Sequence, residues 1–181
     1  LDLSVEQAQK DAILEAKNSH NSVGGVALIN VKNAPIGLGE PLYFKLDSQI
    51  ANAMMSINAV KAVEIGDGIL ASKVKGYDNN DQIRKDGFKT NHSGGILGGI
   101  SNGDDINVKV YFKATPSIFI EQETIDIHND EVNCQLKGRH DPCVAVRGSV
   151  VAESMMALVL ADMVLLNMSS KMGNVKKVYS K

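Results

Sequence analysis

Glycine supplies five of the fourteen residues in segment 90–103, which reads Thr-Asn-His-Ser-Gly-Gly-Ile-Leu-Gly-Gly-Ile-Ser-Asn-Gly. Glycine adopts positive φ angles without steric cost, and its missing Cβ lets other groups approach backbone N–H groups closely. The segment is therefore predicted to bend tightly rather than to continue a helix or a strand. A bend of this composition can surround an anion or a flat ring system. His92 beside it is either a proton shuttle or a group that caps the loop.

The residues around this segment alternate between predicted strands and helices. A half-buried strand is predicted over 107–114, with Val108, Val110, Phe112 and Ala114 on one face and Asn107, Lys109, Tyr111 and Lys113 on the other. Further strands are predicted over 22–31, 60–65 and 131–137, and helices over 4–20 (N-cap Ser4), from Pro41 to about Asn58, and over 150–168. Polar residues 73–91 are predicted to form a mobile loop. The fold class is α/β, with a mostly antiparallel sheet flanked by long apolar helices.

Length and composition limit the possible classes of protein. A chain of 181 residues is long enough for one domain with a real core, so residues 1–181 are predicted to form a single domain. The net charge of −2 and the aromatic fraction of 4% argue against a nucleic-acid partner. Two cysteines, Cys134 and Cys143, fit a reducing, cytoplasmic compartment. The chain begins at Leu1 rather than at methionine, which suggests processing or a fragment.

The predicted last helix is apolar nearly all round, with an unbroken apolar run over 155–161. The shortness of that run and the charged residues Glu153 and Asp162 argue against a membrane span. A helix that is apolar on every side is predicted to lie in a core or in a subunit interface.

Lys113, Thr115 and Ser117 continue the alternation of the strand at 107–114. Pro116 favours an extended Thr115, so the three side chains are predicted to project from one face. An ammonium group and two hydroxyl groups on one face suit a phosphate. The alternative is an ordinary solvent-facing strand surface.

A second polar cluster, Gly-Arg-His-Asp-Pro-Cys, occupies residues 138–143. In an extended chain, Arg139 and Asp141 share a face and His140 lies opposite. Arginine binds phosphate or carboxylate groups in a bidentate manner, and an ionised Asp141 beside it could accept a proton. The alternative is an Arg139–Asp141 surface ion pair. His140 and Cys143 are too few to make a metal site, so no metal is expected.

Five segments taken together resemble the chorismate synthase family. They are residues 37–41 (Gly-Leu-Gly-Glu-Pro), 55–61 (Met-Ser-Ile-Asn-Ala-Val-Lys), 63–68 (Val-Glu-Ile-Gly-Asp-Gly), 91–101 and 138–143. The agreement runs from about Ser22 to about Leu166, in the family's order and with its spacing. It covers the C-terminal half of the family's chain.

The resemblance implies a lyase of the shikimate pathway of aromatic amino acid biosynthesis. Members of the family convert 5-enolpyruvylshikimate 3-phosphate to chorismate and phosphate by a 1,4-anti elimination, and they require reduced FMN (FMNH2) although no net oxidation occurs. They are homotetramers with a β-α-β sandwich core. The N-terminal half would carry further active-site residues, so this chain alone is expected to be inactive.

Matched residue by residue, the resemblance implies functional roles for ten positions. Arg139 is expected to contact flavin and substrate, and Asp141 to assist proton movement at the reduced flavin, so these two are the expected catalytic residues. The chain departs from the family's usual proline and serine at Ala114 and Pro116, and one hydroxyl group is lost. All these residues are expected to meet at one site. The implied flavin-binding residues are Asn58, Ala59, Gly98, Lys113, Ala114, Thr115, Pro116, Ser117 and Arg139.

Two other classes of function stay open. A flavin-phosphate-binding or oligomerisation module would keep the same surface without catalysis. A flavin-dependent oxidoreductase is less favoured, because no dinucleotide-binding fingerprint follows a strand and opens a helix. The sequence is compatible with a parent enzyme that reduces its flavin from a nicotinamide such as NADPH, and with one that relies on another reductase.

Overall fold

The computed structural model describes residues 3–180, and its strand pairs are antiparallel. The predicted α/β class, with antiparallel strands flanked by apolar helices, is confirmed. A 3₁₀ helix lies at Gly68–Lys73. In chain order the other elements are α1 (Glu6–Asn18), β1 (Gly25–Val31), α2 (Leu46–Met55), β2 (Val60–Ile65), α3 (Gly76–Asn79), β3 (Ile83–Arg84), β4 (Gly87–Phe88), β5 (Ile96–Leu97), β6 (Ile100–Ser101), β7 (Ile106–Phe112), β8 (Gln122–Ile125), β9 (Glu131–Cys134), α4 (Ala145–Ser169) and α5 (Met172–Tyr179).

A three-stranded sheet in the order β1–β7–β2 forms the centre of the fold. On one side of β7, Gly25 lies opposite Phe112 and Val31 opposite Ile106. On the other side, Val60 lies opposite Phe112, and the register shifts directly afterwards. The C-terminal end of β7 therefore meets the beginnings of both neighbouring strands. That end of the sheet determines where the residues after Phe112 lie.

The predicted alternation along β7 is confirmed up to Phe112. Its buried residues form one core with the buried faces of α2 and α4, while the alternate residues are half-exposed. The strand ends at Phe112, so the predicted extension of the alternation to Ala114 and on to Ser117 is not part of the sheet. The core residues of β7 and α2 are Ile106, Val108, Val110, Phe112, Leu46, Ile50 and Met54.

The first two long helices begin later than the sequence predicts. Helix α2 begins at Leu46 and not at Pro41, because the chain before it turns: Tyr43 has a φ of 51°. A left-handed residue interrupts a right-handed helix. Helix α1 begins at Glu6, and its N-cap residue is Val5 and not the predicted Ser4.

Helix α4 has 25 residues and begins at Ala145, well before the predicted start at residue 150. Five of its positions are buried against the sheet and α2, whereas much of the opposite apolar face, including Val150, Leu158 and Leu165, is exposed. Its length and mean hydropathy of 1.9 would allow it to cross a membrane, so the shortness of the apolar run over 155–161 does not exclude a span. This is weak evidence for a span, because core helices of soluble proteins reach the same values.

Short hairpins occupy the connecting segments. The glycine segment forms the β5–β6 hairpin, in which Gly98 and Gly99 have φ angles of 61° and 85°. Two consecutive positive φ angles are typical of a type I′ turn, so the predicted bend is confirmed. Residues 73–91 contain α3 and the β3–β4 hairpin, and their mobility stays a prediction. The strand predicted over 131–137 ends at Cys134, and its four residues are exposed on both faces.

Candidate functional site

Two of the predicted flavin-binding segments meet where β7 ends. The backbone N–H of Lys113 donates to the carbonyl oxygen of Ala59 at 2.9 Å. Ala59 has a φ of 71°, a left-handed conformation that is costly for a residue with a Cβ. Strained residues of this kind cluster at functional sites. The structure thus places Asn58 and Ala59 directly beside the start of the Lys113–Ser117 segment.

Residues 22–25 connect this segment to the polar cluster at 138–143. The Ser22 hydroxyl donates to the carbonyl oxygen of Thr115 at 2.6 Å. The next residue, Val23, donates its backbone N–H to the carbonyl oxygen of Pro142 at 2.8 Å. At Gly24, a Cβ would lie 2.7 Å from the carbonyl oxygen of Phe112, so only glycine allows this close approach. The two predicted segments therefore flank the same four residues.

Aromatic contacts hold the second segment in place. The His140 ring packs on Phe119 with a centroid distance of 5.3 Å, and His20 packs on the same phenyl ring at 6.1 Å. The N–H of Phe119 donates to the carbonyl oxygen of His20. His140 is thus turned inwards while Arg139 is exposed, as the alternation at 138–141 predicts. The Nε2 atom of His140 is buried and has no hydrogen-bond partner among the described residues.

The polar groups at this end of the sheet suit an anionic, ring-bearing ligand. Lys113 and Arg139 are exposed, and neither forms an ion pair within residues 3–180. The hydroxyl oxygen of Thr115 is buried and has no hydrogen-bond partner in the described chain. Because an unpaired buried polar atom costs free energy, a ligand that reached Thr115 would be stabilised there. Two unpaired cations and a free hydroxyl suit a phosphate group.

Asp141 forms its ion pair with a residue that the sequence analysis does not single out. Nη1 of Arg147, in the first turns of α4, lies 3.2 Å from Oδ2 of Asp141. The alternative of an Arg139–Asp141 pair is therefore wrong. The early start of α4 explains why Arg147 was missed, since the helix was expected to begin only after it. The signal that the sequence offered for this pair was an arginine, Arg147, six positions after Asp141 and beyond Pro142.

Gly98 does not reach this end of the molecule. The carbonyl oxygen of Gly99 accepts the N–H of Leu46 at the first turn of α2, whereas Ala59 lies beyond the last turn. A helix of ten residues is about 15 Å long. The expected single site is thus divided in this chain: Asn58, Ala59 and the segments at 113–117 and 139–141 come together, and the glycine hairpin lies apart. Its role as a flavin contact stays a prediction.

Acidic side chains anchor the glycine segment. Asp81 accepts hydrogen bonds from the hydroxyl of Thr90 (2.7 Å) and from the N–H groups of His92 (2.8 Å) and Ser93 (2.9 Å). Desolvation raises the pKa of Asp81, but the hydrogen bonds outweigh it, so its pKa lies below the usual 3.8. Nδ1 of His92 lies 2.6 Å from Oδ2 of Asp67. These contacts favour the loop-capping interpretation of His92.

On the face of the sheet away from the helices, Tyr111 and Glu64 form a side-chain hydrogen bond. The hydrogen bond between Tyr111 and Glu64 is the main cause that raises the pKa of the phenol and lowers the pKa of the carboxyl group. Lys109 lies 3.3 Å from Glu64 and stabilises the same carboxylate. Within residues 3–180 no cluster of three or more His, Cys, Asp or Glu side chains could hold a metal ion.

Comparisons with known proteins agree on one family. A sequence model of the chorismate synthase family matches residues 1–165, so the similarity begins earlier in the chain than residue 22. The chorismate synthase of Aliarcobacter butzleri (strain RM4018) is 90% identical to the chain, and that of Sulfurimonas denitrificans (strain ATCC 33889 / DSM 1251) is 65% identical. Each alignment covers 100% of this chain and 51% of the relative.

A solved crystal structure of a chorismate synthase superimposes with a TM-score of 0.73 at 34% identity, covering 96% of this chain and 47% of that one. The chain thus spans about half the length of the relatives that it matches. Sequence and fold lead to the same conclusion: the chain belongs to the chorismate synthase family.

Proposed function

We propose that this chain is the C-terminal half of an enzyme that converts 5-enolpyruvylshikimate 3-phosphate to chorismate and phosphate with reduced FMN. The observation that carries the proposal is the meeting of three segments where β7 ends. Ala59 accepts the N–H of Lys113, Thr115 accepts the Ser22 hydroxyl, and the next residue, Val23, donates to Pro142. With the exception of Gly98, the residues that the family resemblance assigns to flavin and substrate thus belong to segments that meet at one end of the sheet.

The charges and hydroxyl groups at this end have distinct roles. Lys113 and Arg139 bind phosphate oxygens, and the buried Thr115 hydroxyl donates to an oxygen of the same ligand. The backbone at Asn58 and Ala59 contacts the flavin ring. Among the neighbouring residues, Ala114 and Pro116 contact the flavin through their backbone and Ser117 through its hydroxyl group. Reduced FMN, when bound, supplies electron density to the allylic system of the substrate as its phosphate leaves.

Arg139 and Asp141 carry the catalytic roles at this end. Arg139 stabilises negative charge on the departing phosphate, and it acts more strongly when the second half of the protein excludes water. Asp141 holds or moves a proton near the reduced flavin. Its exposed carboxylate is paired with Arg147.

The 181-residue chain alone is inactive, because it spans 51% of the relatives that it matches and the remaining part of such a protein supplies the other half of the site. The exposed apolar face of α4 packs against other parts of the assembled protein, in which four copies form a cytoplasmic homotetramer. Gly98 completes the flavin site from its own end of α2 once the protein is assembled. No nucleic acid and no membrane takes part.

An anaerobic assay tests the proposal. Purified full-length protein, containing this chain, is supplied with 5-enolpyruvylshikimate 3-phosphate and reduced FMN, and chorismate is measured by absorbance. We expect turnover by the full-length protein, none by residues 1–181 alone, and a loss of at least about a hundredfold for Arg139→Met. Absence of chorismate formation by the full-length protein with bound flavin would refute the assignment.

The second candidate is a flavin-binding or oligomerisation module without catalysis. The exposed apolar residues of α4 favour an assembly role for this chain. Native mass measurement and flavin titration of residues 1–181 test it. A monomer without flavin quenching would remove this candidate, and a flavin-binding oligomer without turnover in the full-length protein would replace the first.

A further inference from the structure

Asp141 has two arginines near it in the sequence, and only one of them forms an ion pair with it. Asp141 is two residues from Arg139 and six residues from Arg147 in the sequence, yet the ion pair forms with Arg147 at 3.2 Å. The Asp141 side chain is 41% exposed and the Arg147 side chain 77% exposed, so both groups can rearrange without disturbing the core. Arg139 is left exposed and has no ion pair within the described residues.

The backbone makes this choice possible. The carbonyl oxygen of Pro142 accepts the N–H of Val23, which holds the residue after Asp141 against the sheet end. Helix α4 begins at Ala145 and carries Arg147 in its first turn. The helix therefore presents Arg147 to Asp141 from a rigid element, whereas Arg139 lies in an irregular, exposed segment.

The consequence concerns the charge that is available to a ligand. A carboxylate paired with Arg139 would occupy donors of that guanidinium group and cancel its charge, and an incoming phosphate would have to displace it. A carboxylate held by Arg147 leaves all the donors of Arg139 free. The same pairing keeps Asp141 at the site without placing its negative charge on the anion-binding arginine.

We propose that Arg147 is a positioning residue that holds Asp141 away from Arg139 and so keeps Arg139 free to bind the phosphate group of the ligand. The proposal rests on the proposed function, which assigns a phosphate-bearing flavin and substrate to this site. In this proposal Arg147 does not contact the ligand, so its role differs from that of an additional phosphate-binding arginine.

A double-mutant cycle tests the proposal in the full-length protein. FMN affinity is measured by fluorescence titration for wild type, Arg147→Met, Asp141→Asn and the double variant. We expect Arg147→Met alone to weaken FMN binding about five- to tenfold, because Asp141 then moves to Arg139 and weakens one charge-assisted contact. The double variant has no carboxylate to move, so its affinity returns to within about twofold of Asp141→Asn. Arg84→Met, an exposed arginine on the β3–β4 hairpin, is the matched control and leaves affinity unchanged.

A second measurement does not depend on flavin binding. Phenylglyoxal modifies free guanidinium groups, and peptide mapping gives the modification rate at Arg139. The rate is expected to fall several-fold in Arg147→Met and to recover in the double variant. Unchanged affinity and unchanged Arg139 reactivity in Arg147→Met would overturn the proposal. Equal weakening of FMN binding in Arg147→Met and the double variant would also overturn it, because Arg147 would then bind the ligand directly. If wild type binds no FMN, the proposed function fails and the reactivity of Arg139 still decides this inference.

Discussion

Replacing Gly148 by alanine should destabilise the protein although the substitution normally stabilises a helix. Alanine is favoured over glycine in a helix interior by about 1 kcal/mol. At Gly148, however, a Cβ would lie 2.5 Å from Cε1 and 2.6 Å from Cζ of Phe112. Carbon atoms pack at about 3.5–4 Å, so the overlap is roughly 1 Å.

The Phe112 ring cannot easily move aside, because it is only 4% exposed and sits where the sheet meets α4. Overpacking of a buried site costs about 1–3 kcal/mol, and the strain at this overlap lies at the upper end of that range. Subtracting the gain in helix propensity leaves a net loss of about 1–2 kcal/mol for Gly148→Ala. The close packing of α4 on β7 thus decides whether Gly148→Ala stabilises or destabilises the protein.

Urea unfolding of the same protein preparation measures the effect, with Gly173→Ala as the matched control. Gly173 lies in α5, and a Cβ there would have no atom within 4 Å. We expect the control to leave the unfolding midpoint unchanged or to raise it, by up to about 1 kcal/mol of stability. If Gly148→Ala were as stable as the control, the packing of α4 against Phe112 would be wrong.

Three further predictions concern the anchored loop and the open sheet face. Asp81→Ala should reduce the stability at neutral pH by about 2–4 kcal/mol, because it leaves two backbone N–H groups without an acceptor. In the same urea unfolding measurement the control Asp126→Ala, in an exposed hairpin turn, should cost less than about 1 kcal/mol. Because the pKa of Asp81 is lowered in the folded protein, its contribution to stability is present above pH 3.8 and is lost as the pH falls through the folded pKa. This acid-dependent loss of stability should be absent from Asp81→Ala. The same loss in both proteins would contradict the lowered pKa of Asp81. Gly99→Ala should reduce the stability by about 2–3 kcal/mol, since the φ of Gly99 is 85° and a Cβ would lie 2.8 Å from the backbone oxygen of Glu40. A near-neutral result in urea unfolding would exclude the turn between β5 and β6. Glu64→Gln should lower the pKa of Tyr111 towards 10.0 in an NMR titration, and no change would refute the hydrogen bond between them.

Sequence periodicity was sufficient to predict the elements that have one buried face and one exposed face. The alternation around Val108 and Val110 predicts β7 because one side of the strand is buried and the other is not. The helix predicted from Pro41 begins later because the left-handed Tyr43 precedes it, a backbone conformation that residue type does not reveal. Local pattern therefore identified the elements better than their ends.

The candidate site was predictable only in part, because spacing along the chain does not determine distance in space. Lys113 and Arg139 lie on segments that meet through residues 22–25, a connection that no motif indicates. Gly98 belongs to an equally recognisable segment but lies at the other end of α2, a helix about 15 Å long. Arg147 was missed because its partner depends on where α4 begins.

The central claim is that a phosphate-bearing flavin binds where β7 ends, and Thr115→Val tests it most directly. The Thr115 hydroxyl is buried without a partner, so replacing it with a methyl group should leave the stability unchanged or increase it. The same replacement should weaken FMN binding by the full-length protein about ten- to a hundredfold, the value of a hydrogen bond to a charged group. Unchanged FMN affinity in a fully folded Thr115→Val protein would contradict the claim.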